Sequence, residues 1–263
     1  MTTTGSTSGA QLIARAVDIL RALPRGSAEG RRLKDIALAT GLAEPTARRI
    51  LLALIQERLV AQDETTRHYR LGTLISELAL ASPSYPAEIA ALCRPHLAAL
   101  SDETGDSVYL AMRTGVETIC LDRADGAFPI RAEVVQIGQR RLLGLGTGGV
   151  SLLATMSDRE VDEIFSSVAY AEAEEAIEEL RRRVSCAREK GYADISDRPV
   201  PGVRAVGVAI PCRQGASYLT VSVTAVTSRL TDRHLETILP ALQRCASSIS
   251  DKVATTITTR APR

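Results

Sequence analysis

The hydrophobic period of this chain changes part-way along. Up to Ser82 the apolar residues recur mostly at helical spacing, three and four apart; beyond Pro83 and Pro86, runs that alternate in twos appear between helices. A segment patterned for a helix does not settle as a strand, nor the reverse. The switch therefore divides the chain into a helical N-terminal part and a mixed second part, and 263 residues suit two ordinary domains.

In the first part, "LIARAVDILRAL" sets Leu12, Ile13, Ala16, Val17, Ile19, Leu20 and Leu23 on one helical stripe, broken over Pro24 to Gly30. "RRLKDIALATG" reads as a shorter helix with Leu33, Ile36 and Ala37 inward and Gly41 as its stop. "EPTARRILLALIQERL" is a third helix: Pro45 suits its first turn, and Ile50, Leu51, Leu54 and Ile55 form its apolar face. "LVAQDETTRHYRLG" then gives two short strands joined by a polar turn. Helix, helix, tight turn, helix and two-stranded wing is the winged helix-turn-helix order. Residues 1–82 hold 11 basic against 8 acidic side chains, while the remainder holds 21 against 23. A modestly basic module joined to a near-neutral one fits a reader of double-stranded DNA attached to a domain that does not bind it.

"TLISELALAS" reads as a linking helix ended by the prolines. Beyond it, "PAEIAALCRPHLAALSDET" is helical, "SVYLAMR" and "VETICLDRAD" form a hairpin through Thr114-Gly115, and "FPIRAEVVQIG" is a third strand. "SDREVDEIF" opens with a capping box of Ser157 and Glu160. "EEAIEELRRRVSCAREKG" is an amphipathic helix, "VRAVGVAIPC" and "YLTVSVTAV" are two more strands, and a last helix starts at Thr231. Hairpins flanked by helices predict an antiparallel α+β domain. The expected boundaries are a disordered tail at 1–9, the winged helix-turn-helix at 10–72, a linker helix at 73–86, an effector-binding and oligomerisation domain at 87–255, and a tail at 256–263.

One motif argues otherwise. In "LGLGTGGV", Gly144, Gly146 and Gly149 fall in G-x-G-x-x-G register, the dinucleotide fingerprint, so an NAD-dependent oxidoreductase is the alternative reading. Its context disagrees. The preceding Gln139-Arg140-Arg141 is too polar for a buried parallel strand, and the acids at the right distance, Asp162 and Glu163, lie inside the helix capped by Ser157. The loop reads instead as backbone N–H groups and a following helix, from about Gly149, facing a small anionic ligand.

These residues together resemble the IclR family of bacterial transcriptional regulators, from about Ala10 to about Ile249. The resemblance is carried by "IARAVDIL", "LKDIALATGLAEPTARRILLALIQERLV" and the wing "RHYRLG", then by "GYADISDRPVPGVRAVGVAIP" and "LTVSVTAVTSRLTDRHLETILPAL". It implies a winged helix-turn-helix joined by a helix to a GAF-like effector domain, dimers that can pair into tetramers, and control by a small metabolite that often bears a carboxylate. Many members have His-x-Thr-x-x-Gly-Lys at the glycine loop; here Gly144, Gly146, Gly149 and Val150 hold those places.

Candidate DNA contacts are Thr46 and Arg48 at the start of the third helix, where Arg can read guanine bidentately, with Arg49 on phosphate and Arg67 and Arg70 in the wing. Candidate effector contacts are Gly146, Thr147, Gly148 and Gly149, faced by Ser222 and Thr224, which share one face of a strand and whose places the resemblance assigns to effector. Asp194, in the loop before the Gly202 strand, is a further candidate. The effector expected is a small organic acid, aromatic acids included. Arg181–Arg183 reads as a solvated face, with Glu178 and Glu179 four residues before Arg182 and Arg183. Cys93 and His96 have ligand spacing without a second pair, and no nucleophile–base set stands out, so neither cofactor nor catalysis is expected. Five scattered cysteines with no C-x-x-C, and an N-terminus without a signal-peptide pattern, predict a cytoplasmic protein with no membrane partner.

Overall fold

A computed structural model of the chain describes residues 8–25, 30–81, 84–129, 134–170, 176–198, 200–212 and 216–256. It divides into two compact units, Met1–Ser84 and Tyr85–Arg263. Of the expected tails, residues 1–7 and 257–263 lie outside the described residues, while Ser8 and Gly9 already belong to the first helix.

In the first unit, α1 (Ser8–Ala22), α2 (Leu33–Thr40) and α3 (Glu44–Gln56) surround a small core of Ile19, Leu23, Ile36, Ala47, Ile50, Leu51 and Leu54. Gly41 ends α2 in the left-handed conformation, φ 64°, which a glycine adopts without a Cβ penalty, and so turns the chain sharply into α3. Strands β1 (Val60–Gln62) and β2 (Tyr69–Leu71) pair antiparallel as the wing. Asp63 organises its turn by accepting hydrogen bonds from the Thr65 and Thr66 amides at 3.0 and 2.8 Å. Helix α4 (Thr73–Ala81) follows. The α1 stripe is only half used inside the unit: Ile19 and Leu23 are buried, whereas Leu12, Ile13 and Val17 are exposed.

The second unit is built on one antiparallel sheet. It contains α5 (Tyr85–Thr104), β3 (Ser107–Thr114), β4 (Glu117–Ala124), β5 (Arg140–Leu142), α6 (Thr147–Ala154), α7 (Asp158–Phe165), α8 (Ile177–Lys190), β6 (Ala193–Ser196), β7 (Val203–Ile210), β8 (Leu219–Val226) and α9 (Asp232–Thr256). The six strands run in the order β5-β4-β3-β8-β7-β6. One face carries Val108, Leu110, Val206, Val208, Val221 and Val223 into a core with Leu97 of α5 and Ile238 and Leu242 of α9. The other face receives α6, which packs with α7 and α8 around Leu152, Leu153, Phe165 and Leu180.

Sequence and structure differ at several places. The strand expected over "FPIRAEVVQIG" is not formed at Val134–Gly138, and Ile130–Glu133 lie outside the described residues. The strand in this region is β5, three polar-led residues at the sheet edge. Helix α6 starts at Thr147, not Gly149. Arg182 and Arg183 both pair with Glu179, at 2.7 and 3.2 Å, not one each with Glu178 and Glu179.

Candidate functional site

In the first unit, α3 buries Ala47, Ile50, Leu51 and Leu54, which turns the intervening Arg48 and Arg49 to solvent; Thr46 is partly exposed. Arg67 and Arg70 are exposed on the wing. Arg67 adopts φ 60°, held by Gln62 Nε2, which donates to its carbonyl at 3.1 Å. The proposed DNA contacts thus stand on two surfaces of one unit, the start of α3 and the wing. Among the described residues neither Arg48 nor Arg49 forms an ion pair, in contrast to the paired arginines of α8.

In the second unit, the α6 face of the sheet forms a cleft of about 670 Å³, counted out to its open side. Gly146, Thr147, Gly148 and Gly149 line it from the start of α6, and Ser222 and Thr224 line it from β8. Six of the seven expected effector residues therefore meet in one place. The alternation along β8 brings this about: Val221, Val223 and Ala225 go to the core, so Thr220, Ser222 and Thr224 face α6. Neither Ser222 nor Thr224 hydrogen-bonds another described residue through its hydroxyl, so both remain available.

The remaining walls come from Tyr109 and Ala111 of β3, Thr118 and Cys120 of β4, and Val203 and Ala205 of β7. Arg141, Gln139 and Arg198 add polar groups; among the described residues no acidic side chain lines the cleft. Burial pushes the Cys120 thiol up to about 11, Asp122 adding to the effect, and raises the Tyr109 phenol above its ordinary value. These groups stay neutral near pH 7.

The glycines of the loop also permit close packing within the protein. A Cβ on Gly148 would stand 2.9 Å from Thr220 Cγ2, and one on Gly149 would stand 2.9 Å from the Gly144 nitrogen. They let the first turn of α6 lie against β8 and against its own leading loop. Gly207 of β7 helps, since a Cβ there would meet Ser222 Cβ at 3.1 Å and Thr147 Cβ at 3.3 Å. Gly146 is the N-cap of α6 and provides no capping side chain. The first helical hydrogen bond runs from the Val150 amide to the Gly146 carbonyl, at 3.0 Å, so the Thr147, Gly148 and Gly149 amides precede it.

Asp194 is not part of the cleft lining. It lies on β6, not in a loop, and both carboxylate oxygens are held by Arg204, at 2.9 and 2.7 Å. The dinucleotide reading fails on topology. Such a loop joins a central parallel strand to a crossover helix, whereas β5 is an antiparallel edge strand and α6 lies on the sheet face. Cys93 and Cys245 are buried thiols, each pushed up to about 12 mainly by that burial. Sequence reasoning missed Arg141 of the edge strand β5, Arg198 beyond β6, Tyr109 of β3 and Gly207 of β7, because no short motif marks which residues of separate strands and loops meet over one face of a sheet.

The family model for the bacterial transcriptional regulator IclR C-terminal domain matches residues 85–251, and that for the IclR helix-turn-helix domain matches residues 12–64. The chain belongs to the IclR family. Among its relatives is the HTH-type transcriptional regulator TtgV of Pseudomonas putida, 29% identical over 228 residues, covering 86% of this chain and 85% of TtgV. The crystal structure of an IclR regulator from Alicyclobacillus acidocaldarius superposes with a TM-score of 0.72 at 24% identity, covering 92% and 98% of the two chains. That of an IclR homolog from Microbacterium hydrocarbonoxydans, complexed with 4-hydroxybenzoate, gives 0.73 at 19% identity over 93% and 100%. This IclR-family chain is thus a DNA-binding transcriptional regulator with an effector-binding domain, and its family and relatives are regulators, not enzymes. No helix among its described residues is long and apolar enough to cross a membrane.

Proposed function

We propose that this regulator binds a pseudo-palindromic operator as a homodimer or a pair of dimers, and that a small organic acid, aromatic acids included, controls it through the cleft on the α6 face. The observation that carries the effector reading is the meeting of the Ser222 and Thr224 hydroxyls, neither bonded to another described residue, with the uncapped amides at the start of α6, in a cleft with arginines and, among the described residues, no acid. Amides at a helix N-terminus and hydroxyls suit a carboxylate, while Ala111, Val203 and Ala205 suit an apolar body. The ligand in the Microbacterium relative makes 4-hydroxybenzoate a first compound to try.

The DNA reading rests on the first unit. Thr46 and Arg48 enter the major groove, Arg49 binds phosphate, and Arg67 and Arg70 reach the backbone or minor groove from the wing. The segment 73–86 acts as the linker between operator and effector domains, and the protein works in the cytoplasm. Pairing is supported by exposed apolar side chains of the first unit: Leu12, Ile13 and Val17 on α1, and Leu78 and Leu80 on α4. A two-fold protein doubles the base pairs read and matches a two-fold site.

The test is a thermal-shift screen of small carboxylates, 4-hydroxybenzoate among them, followed by gel-shift on the DNA upstream of the chain's own coding region. A compound that raises the melting temperature should also change the DNA affinity. Stabilisation by no acid, or stabilisation without any effect on DNA, overturns the effector reading.

A further inference from the structure

We propose that Arg141 is the residue by which the cleft selects an ionised carboxylate over a neutral ligand of the same shape. This deepens the effector reading and rests on it. Thr118 and Arg141 stand opposite one another in the β4–β5 pair, and both line the cleft. The neighbouring Arg140 takes the other face and is neutralised by Glu117 at 2.9 Å. Two consecutive arginines on one short strand thus have opposite surroundings, one matched by a carboxylate and one without any acidic partner among the described residues.

The setting of Arg141 is unfavourable for a cation in the absence of an anion. Burial disfavours its charged form, and among the described residues no carboxylate opposes that effect. Its guanidinium has five N–H donors, and the described residues take one of them, Nη2 donating to the Val134 carbonyl at 2.9 Å. The group lies beside Gly146, where a Cβ would come within 3.3 Å of Arg141 Cδ and 3.4 Å of Nη1. Gly146 caps the N-terminus of α6, itself the positive end of a helix dipole. A guanidinium against a positive helix end is a repulsive pair until an anion lies between them, and then both attract it.

Arginines that hold this domain together are treated differently. Arg204 is clamped on Asp194 and Asp232, and Arg229 meets the buried Asp106 at 2.6 Å. Arg141 is partly buried as they are, without a counter-ion among the described residues. A carboxylate in the cleft would provide it, accepting from the fork of Arg141 on one side and from the α6 amides or Ser222 on the other. A carboxamide of the same outline has no charge to offer and presents an NH₂ group to a donor.

The experiment compares benzoate with benzamide, 4-hydroxybenzoate with 4-hydroxybenzamide, and phenylacetate with phenylacetamide. Calorimetry and thermal shift are run on the full chain and on Arg141→Met and Arg141→Gln, with circular dichroism and DNA binding as checks of folding. Wild type should prefer at least one acid to its amide by tenfold or more, and both variants should lose that preference. The ligand-free Arg141→Met protein should melt higher than wild type, because a partly buried charge with no acidic partner among the described residues is gone. Retention of the acid preference in both variants overturns the role of Arg141 and leaves the organic-acid reading standing. Equal binding of acids and amides by wild type overturns charge selection and leaves a ligand cleft. Failure of every compound to bind wild type removes the organic-acid reading and this inference together.

Discussion

Gly148 lies so close to Thr220 that a Cβ on it would stand 2.9 Å from the Thr220 Cγ2. Thr220 cannot simply swing away. Its hydroxyl donates to the Val208 carbonyl at 2.9 Å and meets the Ser151 hydroxyl at 3.0 Å. The start of α6, and with it one rim of the cleft, is seated by this contact. Gly148→Ala should therefore cost about 1–3 kcal/mol by overpacking. Gly148→Val would unseat α6 and so cannot isolate a binding effect. Thr220→Ser removes the methyl while keeping the hydroxyl, so the double variant Gly148→Ala/Thr220→Ser should recover most of the loss. Urea denaturation of the four proteins measures the coupling, and strict additivity would refute the contact.

The DNA prediction separates base reading from backbone binding. Arg48→Ala should cost about 1–3 kcal/mol on the operator and relax the preference at one base pair per half-site. Arg67→Ala should weaken operator and random DNA alike and lower the salt slope by about one, as loss of one phosphate contact does. Fluorescence anisotropy at several salt concentrations on both DNAs decides it. Equal losses on the two DNAs for Arg48→Ala would remove that residue from the base contacts.

How much of this was legible in the sequence follows from how local each feature is. The winged helix-turn-helix could be read because Gly41, Pro45 and the 3.6-residue periods act within a few residues of themselves. The Ser157–Glu160 capping box could be read for the same reason, and both of its hydrogen bonds are present. Strand β8 is long and its hydroxyl-bearing residues alternate with apolar ones, so Ser222 and Thr224 could be assigned to one face. Strand β5 could not be read, since three residues beginning Arg-Arg become a strand only by pairing with β4. Without β5 there was no reason to turn Arg140 outward and Arg141 inward. Asp194 misled because Arg204 reaches it across the β6–β7 hairpin, ten residues away in sequence. The need for Gly148 lies 72 residues further on, in Thr220, where no local pattern points.

Assembly gives a third prediction. If Leu12, Ile13 and Val17 form the face on which two chains meet, Ile13→Glu should shift the equilibrium toward monomer and weaken operator binding while leaving the effector domain's melting unchanged. Light scattering should give at least twice 28.1 kDa for the wild type. A wild-type monomer at micromolar concentration would rule out the paired reading, and an unshifted Ile13→Glu would move the interface elsewhere.

The last prediction concerns the ion cluster at the foot of α9. Asp106 is buried, and its two carboxylate oxygens are held by Arg229 at 2.6 Å and by His234 at 2.7 Å. Arg229 also donates to the Thr104 carbonyl at 2.9 Å and lies over the Phe128 ring, 4.3 Å from its centroid. One guanidinium therefore ties the end of α5, the start of β3 and the loop after β4 to the turn that opens α9. Arg229→Met keeps the length of the side chain and removes the charge, leaving a buried carboxylate with His234 alone. The cost should be about 3 kcal/mol, the lower end for breaking a buried pair because one partner remains. Adding Asp106→Asn removes the stranded charge and should return part of that loss, since an amide is less costly to leave half-satisfied than a carboxylate. Chemical denaturation of wild type, the two single variants and the double variant gives the coupling directly. Were Arg229→Met within about 0.5 kcal/mol of wild type, the pair would be no stronger than an exposed one and would not anchor α9.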